Sequence, residues 1–246
     1  MPISKLKMAA RGLMRANSPK LFWVSIIFVL LTFLMEQLQA TLIGLTAIME
    51  LIGQSVSPAT FTGYLPGFEE LVLRLSVPGG ALAFLLTFLV AVIGVGFRSY
   101  CLKISRGQEG SHKNLLDGFA FFFKILLIAI LKNVFTFLWM LLLFFPALIA
   151  IYRYSQAYYI LIDDPRKGPL QCIRESKQMM RGNKLDLFLV ELSFIGWSLL
   201  GMLAAWFMPF PFPIVMIWLA PYLGLTRAGF YNGLIRFAPD TPDTPG

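Results

Sequence analysis

Long apolar runs separated by short polar segments make up most of this sequence. A transmembrane helix needs about 20 apolar residues to cross a bilayer, and several runs reach that length. The stretch from Phe119 to Ile162 exceeds one crossing at ~1.5 Å per residue, so the prediction divides it by a tight turn at Lys132 and Asn133. The pattern predicts six spans, at about residues 21–50, 81–98, 117–132, 134–160, 185–207 and 214–235.

The two ends of the chain differ from this pattern. Residues 1–18 predict an amphipathic helix on an anionic membrane surface, because basic residues alternate with apolar ones at helical spacing. The apolar positions are Ile3, Leu6, Ala10, Leu13 and Met14, and the basic ones are Lys5, Lys7, Arg11 and Arg15. The six-span domain is predicted over 19–236. The tail, 237–246, repeats Asp-Thr-Pro and is predicted to be disordered.

Composition supports a membrane protein. Hydrophobic residues make up 57% of the chain, charged residues 14%, and the mean hydropathy is +0.72, values that soluble domains do not reach. The formal net charge of +8 falls in clusters between apolar runs, so nucleic acid is not an expected partner. The predicted fold is an all-α polytopic transmembrane bundle with six spans and a cytoplasmic amphipathic helix between spans four and five.

The distribution of Lys and Arg predicts the orientation in the membrane. Five precede the first span, one lies in the first outer loop, four lie in 98–113, seven in 153–184 and two near the end. Loops with many and with few Lys and Arg residues alternate as six crossings require, which predicts that both termini are cytoplasmic. The predicted location is the plasma membrane. An alternative with five spans, in which Phe119 to Ile162 forms one tilted helix, would put the seven-charge loop outside.

Catalytic and metal-binding motifs do not occur in the sequence. It contains no P-loop, GxSxG, HExxH or dinucleotide fingerprint, and its one histidine, His112, lies in a polar loop. Asp163, Asp164 and Pro165 are typical of a helix end rather than of a metal site. Cys101 and Cys172 have no CxxC spacing and fall on the predicted cytoplasmic side, so no disulfide is expected. We therefore expect no enzyme activity, cofactor or metal.

A set of fixed spacings in the second half of the chain resembles a known family. They comprise the run LWMLLLFFP ending at Pro146, Tyr154, Tyr159, the DDP at 163–165, Glu175, Ser176, Met180 and Gly182, the SFIGW at 193–197, the PY at 221–222 and the FY at 230–231. These residues resemble the bacterial integral membrane proteins catalogued as domain of unknown function 975, in which glycine usually follows the proline where this chain has Ala147. The resemblance implies a multi-pass membrane fold without an assigned biochemical role.

Charged residues inside the apolar runs are the best pointers to function, because each costs at least ~2.5 kcal/mol at mid-bilayer unless it is paired or hydrated. Lys124 and Glu191 are predicted ~10 Å below the cytoplasmic interface, where we expect them to pair. Glu36 and Lys132 are predicted ~22 to 24 Å in, near the outer boundary, as a second pair. The charges either line a polar pathway or pair only for packing.

The segment between spans four and five predicts a basic cytoplasmic helix, from Pro169 to Arg181 with Gly182 at its end. Leu170, Ile173 and Met180 are predicted on its apolar face. Arg174, Lys177 and Arg181 are predicted to bind anionic lipid headgroups or a partner protein, although a solvated positive-inside loop would carry similar charge. The tyrosines at 152, 154, 158 and 159 are predicted to form an aromatic belt at the cytoplasmic interface.

The function predicted from these features is that of a non-enzymatic integral membrane protein. It would bind a partner protein or lipid from the cytoplasmic side. The alternative is a small transporter or channel whose polar path is lined by the intramembrane Glu and Lys residues. A membrane-embedded lipid enzyme ranks behind both, because it would need clustered polar residues at one interface.

Overall fold

The computed structural model describes residues 3–55, 68–142, 144–207 and 214–237, and all regular structure within these ranges is helical. The predicted all-α class is therefore confirmed for the described part of the chain. Residues 208–213, which connect the fifth and sixth predicted spans, and residues 238–246 of the predicted tail lie outside these ranges.

The helices follow in chain order. They are α1 (Ile3–Ala16), α2 (Lys20–Ser55), α3 (Phe68–Ser105), a 3-10 helix (His112–Phe121), α4 (Phe122–Leu142), α5 (Phe144–Arg153), α6 (Ala157–Asp163), α7 (Pro169–Met179), α8 (Lys184–Phe207) and α9 (Ile214–Phe237). Within the described ranges, four stretches are long and apolar enough to cross a membrane: Lys20–Leu45, Gly79–Ser105, His112–Leu141 and Ile214–Arg236.

The chain divides into two compact units. One comprises residues 30–91, the adjoining parts of α2 and α3, and in it the Gln39 amide donates a hydrogen bond of 2.9 Å to the Thr87 hydroxyl. The other comprises residues 1–29 and 92–246. We call this second unit the main unit, and the contacts described below lie within it.

The chain reverses direction later than the sequence predicted. The tight turn predicted at Lys132 and Asn133 is wrong, because α4 continues through both residues to Leu142. Lysine does not break a helix, and an apolar run contains no signal for where a hairpin must turn. Pro146 lies in the first turn of α5, where the missing N–H costs no hydrogen bond.

The segment after α4 returns antiparallel to it. Lys124 contacts Pro165, Lys132 contacts Tyr158, and Phe135 contacts Tyr154. As the residue number increases along α4, the number of the residue that it contacts decreases, which shows that the two segments are antiparallel. A single helix from Phe119 to Ile162, which the five-span alternative required, is therefore wrong.

The returning arm is broken between α5 and α6, and α7 stabilises the break. The Ser176 hydroxyl on α7 donates to the Arg153 carbonyl at 3.0 Å and accepts from the Gln156 backbone N–H at 3.1 Å. These backbone groups have lost their helical partners at the break, so a buried hydroxyl satisfies them from the neighbouring helix.

The amino-terminal helix α1 packs on α8 and α9. Ala10 and Met14 are buried, and Ile3, Leu6 and Leu13 contact the same core, so these apolar residues pack against the bundle. The placement of α1 on a membrane surface stays a prediction. The basic face also contacts the bundle: Lys7 lies 4.4 Å from the Phe194 ring centre and Arg11 donates to the Tyr222 hydroxyl at 3.0 Å. Burial lowers the pKa of Lys7, and the nearby Arg11 charge lowers it further.

Two glycines let the 3-10 helix lie directly against α3. A Cβ atom on Gly96 would be 2.0 Å from the Leu115 carbonyl oxygen, and one on Gly118 would be 2.2 Å from the Val92 carbonyl oxygen. Because both obstacles are backbone atoms, neither can move without separating the two helices. Gly94, two residues away on α3, has no heavy atom within 4 Å of its added Cβ.

We predict that Gly96→Ala destabilises the protein and that Gly94→Ala does not. The added methyl at 96 forces α3 and the 3-10 helix apart, an overpacking cost of about 1 to 3 kcal/mol. At 94 the same change adds helix propensity without a clash. The measurement is the melting temperature of the two detergent-extracted variants, and equal melting temperatures would contradict the close contact.

Candidate functional site

A polar network joins the ends of three helices. Arg106, just after α3, donates to both carboxylate oxygens of Asp163 at 2.7 and 2.8 Å, and the Tyr231 hydroxyl on α9 donates to the same carboxylate at 2.9 Å. Arg106 also donates to the Asn232 side-chain oxygen at 3.1 Å. The hydrogen bond to Asp163 raises the pKa of Arg106. The Asp163 carboxylate therefore links the end of α6 to the segment after α3 and to α9. Asp164 instead closes a local turn by accepting a hydrogen bond from the Arg166 backbone N–H.

A second polar group lies where the 3-10 helix meets α3. Lys103, Ser99 and Asn114 all donate to one Asp117 carboxylate oxygen, at 2.8, 2.9 and 2.9 Å. A cavity of about 320 Å³ opens beside it, lined by Ser99, Lys103 and Asp117 and by apolar residues such as Phe121 and Ile162. The three donors hold one oxygen of the Asp117 carboxylate in a fixed position.

The predicted pair of Lys124 and Glu191 is wrong. The Lys124 ammonium donates to the backbone carbonyl of Pro165, and it also reaches the Lys167 carbonyl at 3.4 Å. Lysine is satisfied here by the loop that follows α6, which the sequence spacing could not place beside α4. The neighbouring Lys167 side chain pairs with Glu175 at 2.7 Å, and although burial opposes it, this pairing raises the pKa of Lys167.

Glu191 pairs instead with Arg227 of α9, at 2.6 Å. Arg227 is one of the two basic residues near the end of the chain, and it was not predicted to be the partner of an interior charge. It lies eight residues inside the predicted end of the last span at 235, so the depth arithmetic that singled out Lys124 and Glu191 would have found it.

Lys132 lies deep in the main unit against Tyr158. Its ammonium is 4.7 Å from the Tyr158 ring centre, and the Arg98 guanidinium is 4.8 Å from the same centre. Since Lys124 contacts the loop at Pro165, Lys132 lies ~12 Å along α4 from that level. Its place near the outer membrane boundary stays a prediction.

Glu36 is exposed on α2 and belongs to the unit of residues 30–91. Its pairing with Lys132 stays a prediction.

The predicted aromatic belt is wrong for Tyr154, Tyr158 and Tyr159, which are buried inside the bundle. The Tyr159 ring stacks on the Tyr231 ring at a centroid distance of 5.1 Å. Aromatic residues inside a span can equally face lipid headgroups or neighbouring helices, and the return of α5 and α6 along α4 turns these inward.

The helix α7 presents a basic outer face. Arg174 and Arg181 are exposed and Lys177 is half-buried, while Cys172, Ile173 and Met180 are buried. Burial raises the pKa of the Cys172 thiol to about 11. Leu170 was predicted on the apolar face with Ile173 and Met180, but it is 58% exposed and shares the outer face with Arg174.

The polar side chains described above form hydrogen bonds and ion pairs between helices, and several cations lie in the interior. In the described ranges, no cluster of three His, Cys, Asp or Glu side chains could hold a metal ion. Cys101 and Cys172 are both free and buried in separate helices. Lysine and arginine side chains can bind anions and carbonyl oxygen atoms.

Comparison with known protein families places part of this chain in a described family. The sequence profile of the family described as "Protein of unknown function (DUF975)" matches residues 140–237, less than half of the chain. This confirms the resemblance seen in the sequence. Neither the curated proteins nor the solved structures contain a match.

Several of the residues that carry the resemblance make contacts that connect different helices of the bundle. Asp163 and Tyr231 meet at Arg106, Ser176 joins α7 to the break before α6, and the Phe194 and Tyr222 rings pack edge to face at 4.8 Å. Gly182 follows α7 with φ of 80°, a left-handed conformation that glycine adopts most easily.

We predict that Asp163→Asn lowers the melting temperature clearly and that Asp164→Asn changes it little. The first variant weakens the charge-assisted bonds from Arg106 and Tyr231, a loss of about 2 kcal/mol. The second keeps an oxygen that can accept the Arg166 N–H. Thermal unfolding of the detergent-extracted proteins measures both, and a larger effect at 164 would contradict the role given to Asp163.

Proposed function

We propose that this chain is a six-span, non-enzymatic protein of the cell membrane, with both termini cytoplasmic, that binds anionic lipid headgroups from the cytoplasmic side. The antiparallel return supports the six crossings. From Lys124 to the end of α4 at Leu142 the helix rises ~27 Å, close to the ~30 Å of a bilayer core, and the returning arm is of similar length.

The outer face of α7 carries the binding proposal. Arg174 and Lys177 lie one turn apart on this face, Arg181 follows the end of α7 by two residues, and none of the three forms an ion pair within the described part of the chain. The carboxylate of Glu175 is taken by Lys167. The face therefore presents uncompensated positive charge, which attracts anionic headgroups by about 1 kcal/mol per basic residue near a membrane surface.

The exposed Leu170 favours lipid over a protein partner. A basic face with an apolar side chain at one end is typical of a helix that lies at a membrane interface, where the apolar group enters the acyl boundary. The inner face is held in the bundle by Ile173 and Met180, so α7 is presented in a fixed orientation. A partner protein is the alternative ligand of the outer face of α7.

A transporter or channel lined by Glu36, Lys124, Lys132 and Glu191 stays the rival function. Lys124 and Glu191 already have partners in Pro165 and Arg227, which leaves them less available for a moving ion. A polar route would have to use the remaining interior charges.

The topology predicts which loops face the cytoplasm. Gln108 and Gln171 are exposed in the two basic loops, and Thr60 lies in the predicted outer connection. A membrane-impermeant maleimide applied to intact cells should label Thr60→Cys and should label Gln108→Cys and Gln171→Cys only after permeabilisation. The buried Cys101 and Cys172 provide a silent background. Labelling of Gln171→Cys in intact cells would overturn the six-span topology.

The lipid proposal predicts a loss of headgroup affinity when the α7 face is neutralised. The double variant Arg174→Gln/Arg181→Gln should bind phosphatidylglycerol at least about tenfold more weakly, since two basic contacts are removed. Titration of the lipid into purified protein in mixed micelles, with phosphatidylcholine as reference, measures this.

The matched control is Lys113→Gln/Arg236→Gln, which removes the same charge from other exposed positions. If both double variants lost the same lipid affinity, the effect would come from net charge and not from the α7 face. If lipid affinity is unchanged but a cellular protein no longer co-purifies with the α7 variant, the occupant of this face is a protein and the lipid proposal fails.

A further inference from the structure

We propose that the main unit holds an interior site for a phosphate group, formed by Arg98, Lys132 and Arg227 around Tyr158 and Tyr159. We call these three basic residues the interior cation cluster. They come from α3, α4 and α9, helices that are distant in sequence but adjacent here. Arg98 and Lys132 lie 4.8 and 4.7 Å from the same Tyr158 ring centre.

The cluster carries more positive charge than its surroundings neutralise. Glu191 pairs with Arg227 at 2.6 Å, while among the described residues of the main unit no carboxylate lies within ion-pair distance of Arg98 or Lys132. Arg227 lies one helical turn before Tyr231, whose ring stacks on Tyr159, so the three like charges lie around neighbouring tyrosines and repel one another. Cations in an apolar bundle are expensive unless paired, and an aromatic face compensates only partly. A bound anion would compensate the excess.

Tyr159 supplies an independent sign of a missing acceptor. Its side chain is 3% exposed, and its hydroxyl has no hydrogen-bond partner within the described part of the chain. Buried hydroxyls are nearly always bonded, and this one lies in the electrostatic range of Arg98 and Arg227. An oxygen atom of an anion bound between those residues would accept its proton.

The donor set fits a tetrahedral oxyanion. Two guanidinium groups offer paired N–H donors, Lys132 offers a point charge, and Tyr159 offers one O–H, a combination that matches the several oxygens of a phosphate better than a single halide. The side chains of Arg227 and Glu191 are 35% and 29% exposed, so a ligand can reach the cluster.

Depth leaves two sources for that phosphate. Arg98 lies eight residues before Arg106, so the cluster is ~12 Å further in than the network at Asp163. A free phosphate could enter from the cytoplasm, or a phospholipid headgroup could enter between helices. The chemistry of recognition is the same for both.

The test compares full-length wild type with Lys132→Met and Tyr159→Phe, purified in dodecyl maltoside. Sodium phosphate should raise the melting temperature of wild type by about 3 °C or more over sodium chloride of equal ionic strength. Lys132→Met should lose this shift, and without phosphate it should melt no lower than wild type because an uncompensated charge is gone. Tyr159→Phe keeps the stacked ring and should show a smaller shift. Lys113→Met, at an exposed position, should respond like wild type.

A parallel titration with phosphatidylglycerol against phosphatidylcholine identifies the source. If only the phospholipid stabilises the protein, with the same ranking of variants, the site holds a headgroup; if inorganic phosphate suffices, it holds the free anion. No stabilisation by either, or a shift that Lys132→Met retains in full, would overturn the site. The Arg174→Gln/Arg181→Gln protein should keep the phosphate shift, so this proposal and the binding role of α7 fail separately.

Discussion

The Asp163 carboxylate lies where the end of α6 meets the ends of α3 and α9. By accepting from Arg106 and Tyr231 it fixes three chain segments that are far apart in sequence. The position of α6 sets that of Tyr158, on whose ring Arg98 and Lys132 lie, and that of the neighbouring Tyr159. The loop after Asp163 also provides the carbonyl groups that hold Lys124. Loss of this joint would therefore affect both the returning arm and the surroundings of the cation cluster.

The interior basic residues are accommodated by different means. Lys124 uses backbone carbonyl groups, Arg227 uses the Glu191 carboxylate, and Arg98 and Lys132 lie against an aromatic ring. Carbonyl and carboxylate oxygens compensate a cation fully when close, whereas a ring face is a weaker partner. Arg98 and Lys132 are therefore the least compensated of these four interior cations.

Sequence reasoning worked where the physical signal is local. Helical periodicity located α1 and its apolar face, Pro169 and Gly182 bounded the region of α7, and the fixed spacings from Leu138 to Tyr231 pointed to the family that residues 140–237 match. It failed where the signal is not local. No glycine or charged residue marks the reversal between α4 and α5, so it was predicted at the polar pair Lys132 and Asn133 instead.

What the sequence alone determined is the helical class, the apolar runs long enough to cross a membrane, and the positions of Lys124, Lys132 and Glu191 within apolar runs, because each follows from composition and spacing. Tertiary structure alone decided which partner each charge has. Glu191 lies beside Arg227 rather than Lys124, and Arg98 shares a ring with Lys132, because helix packing brings together positions whose separation along the chain contains no record of their distance in space. Spacing gives depth along one helix, whereas pairing depends on which faces of different helices meet.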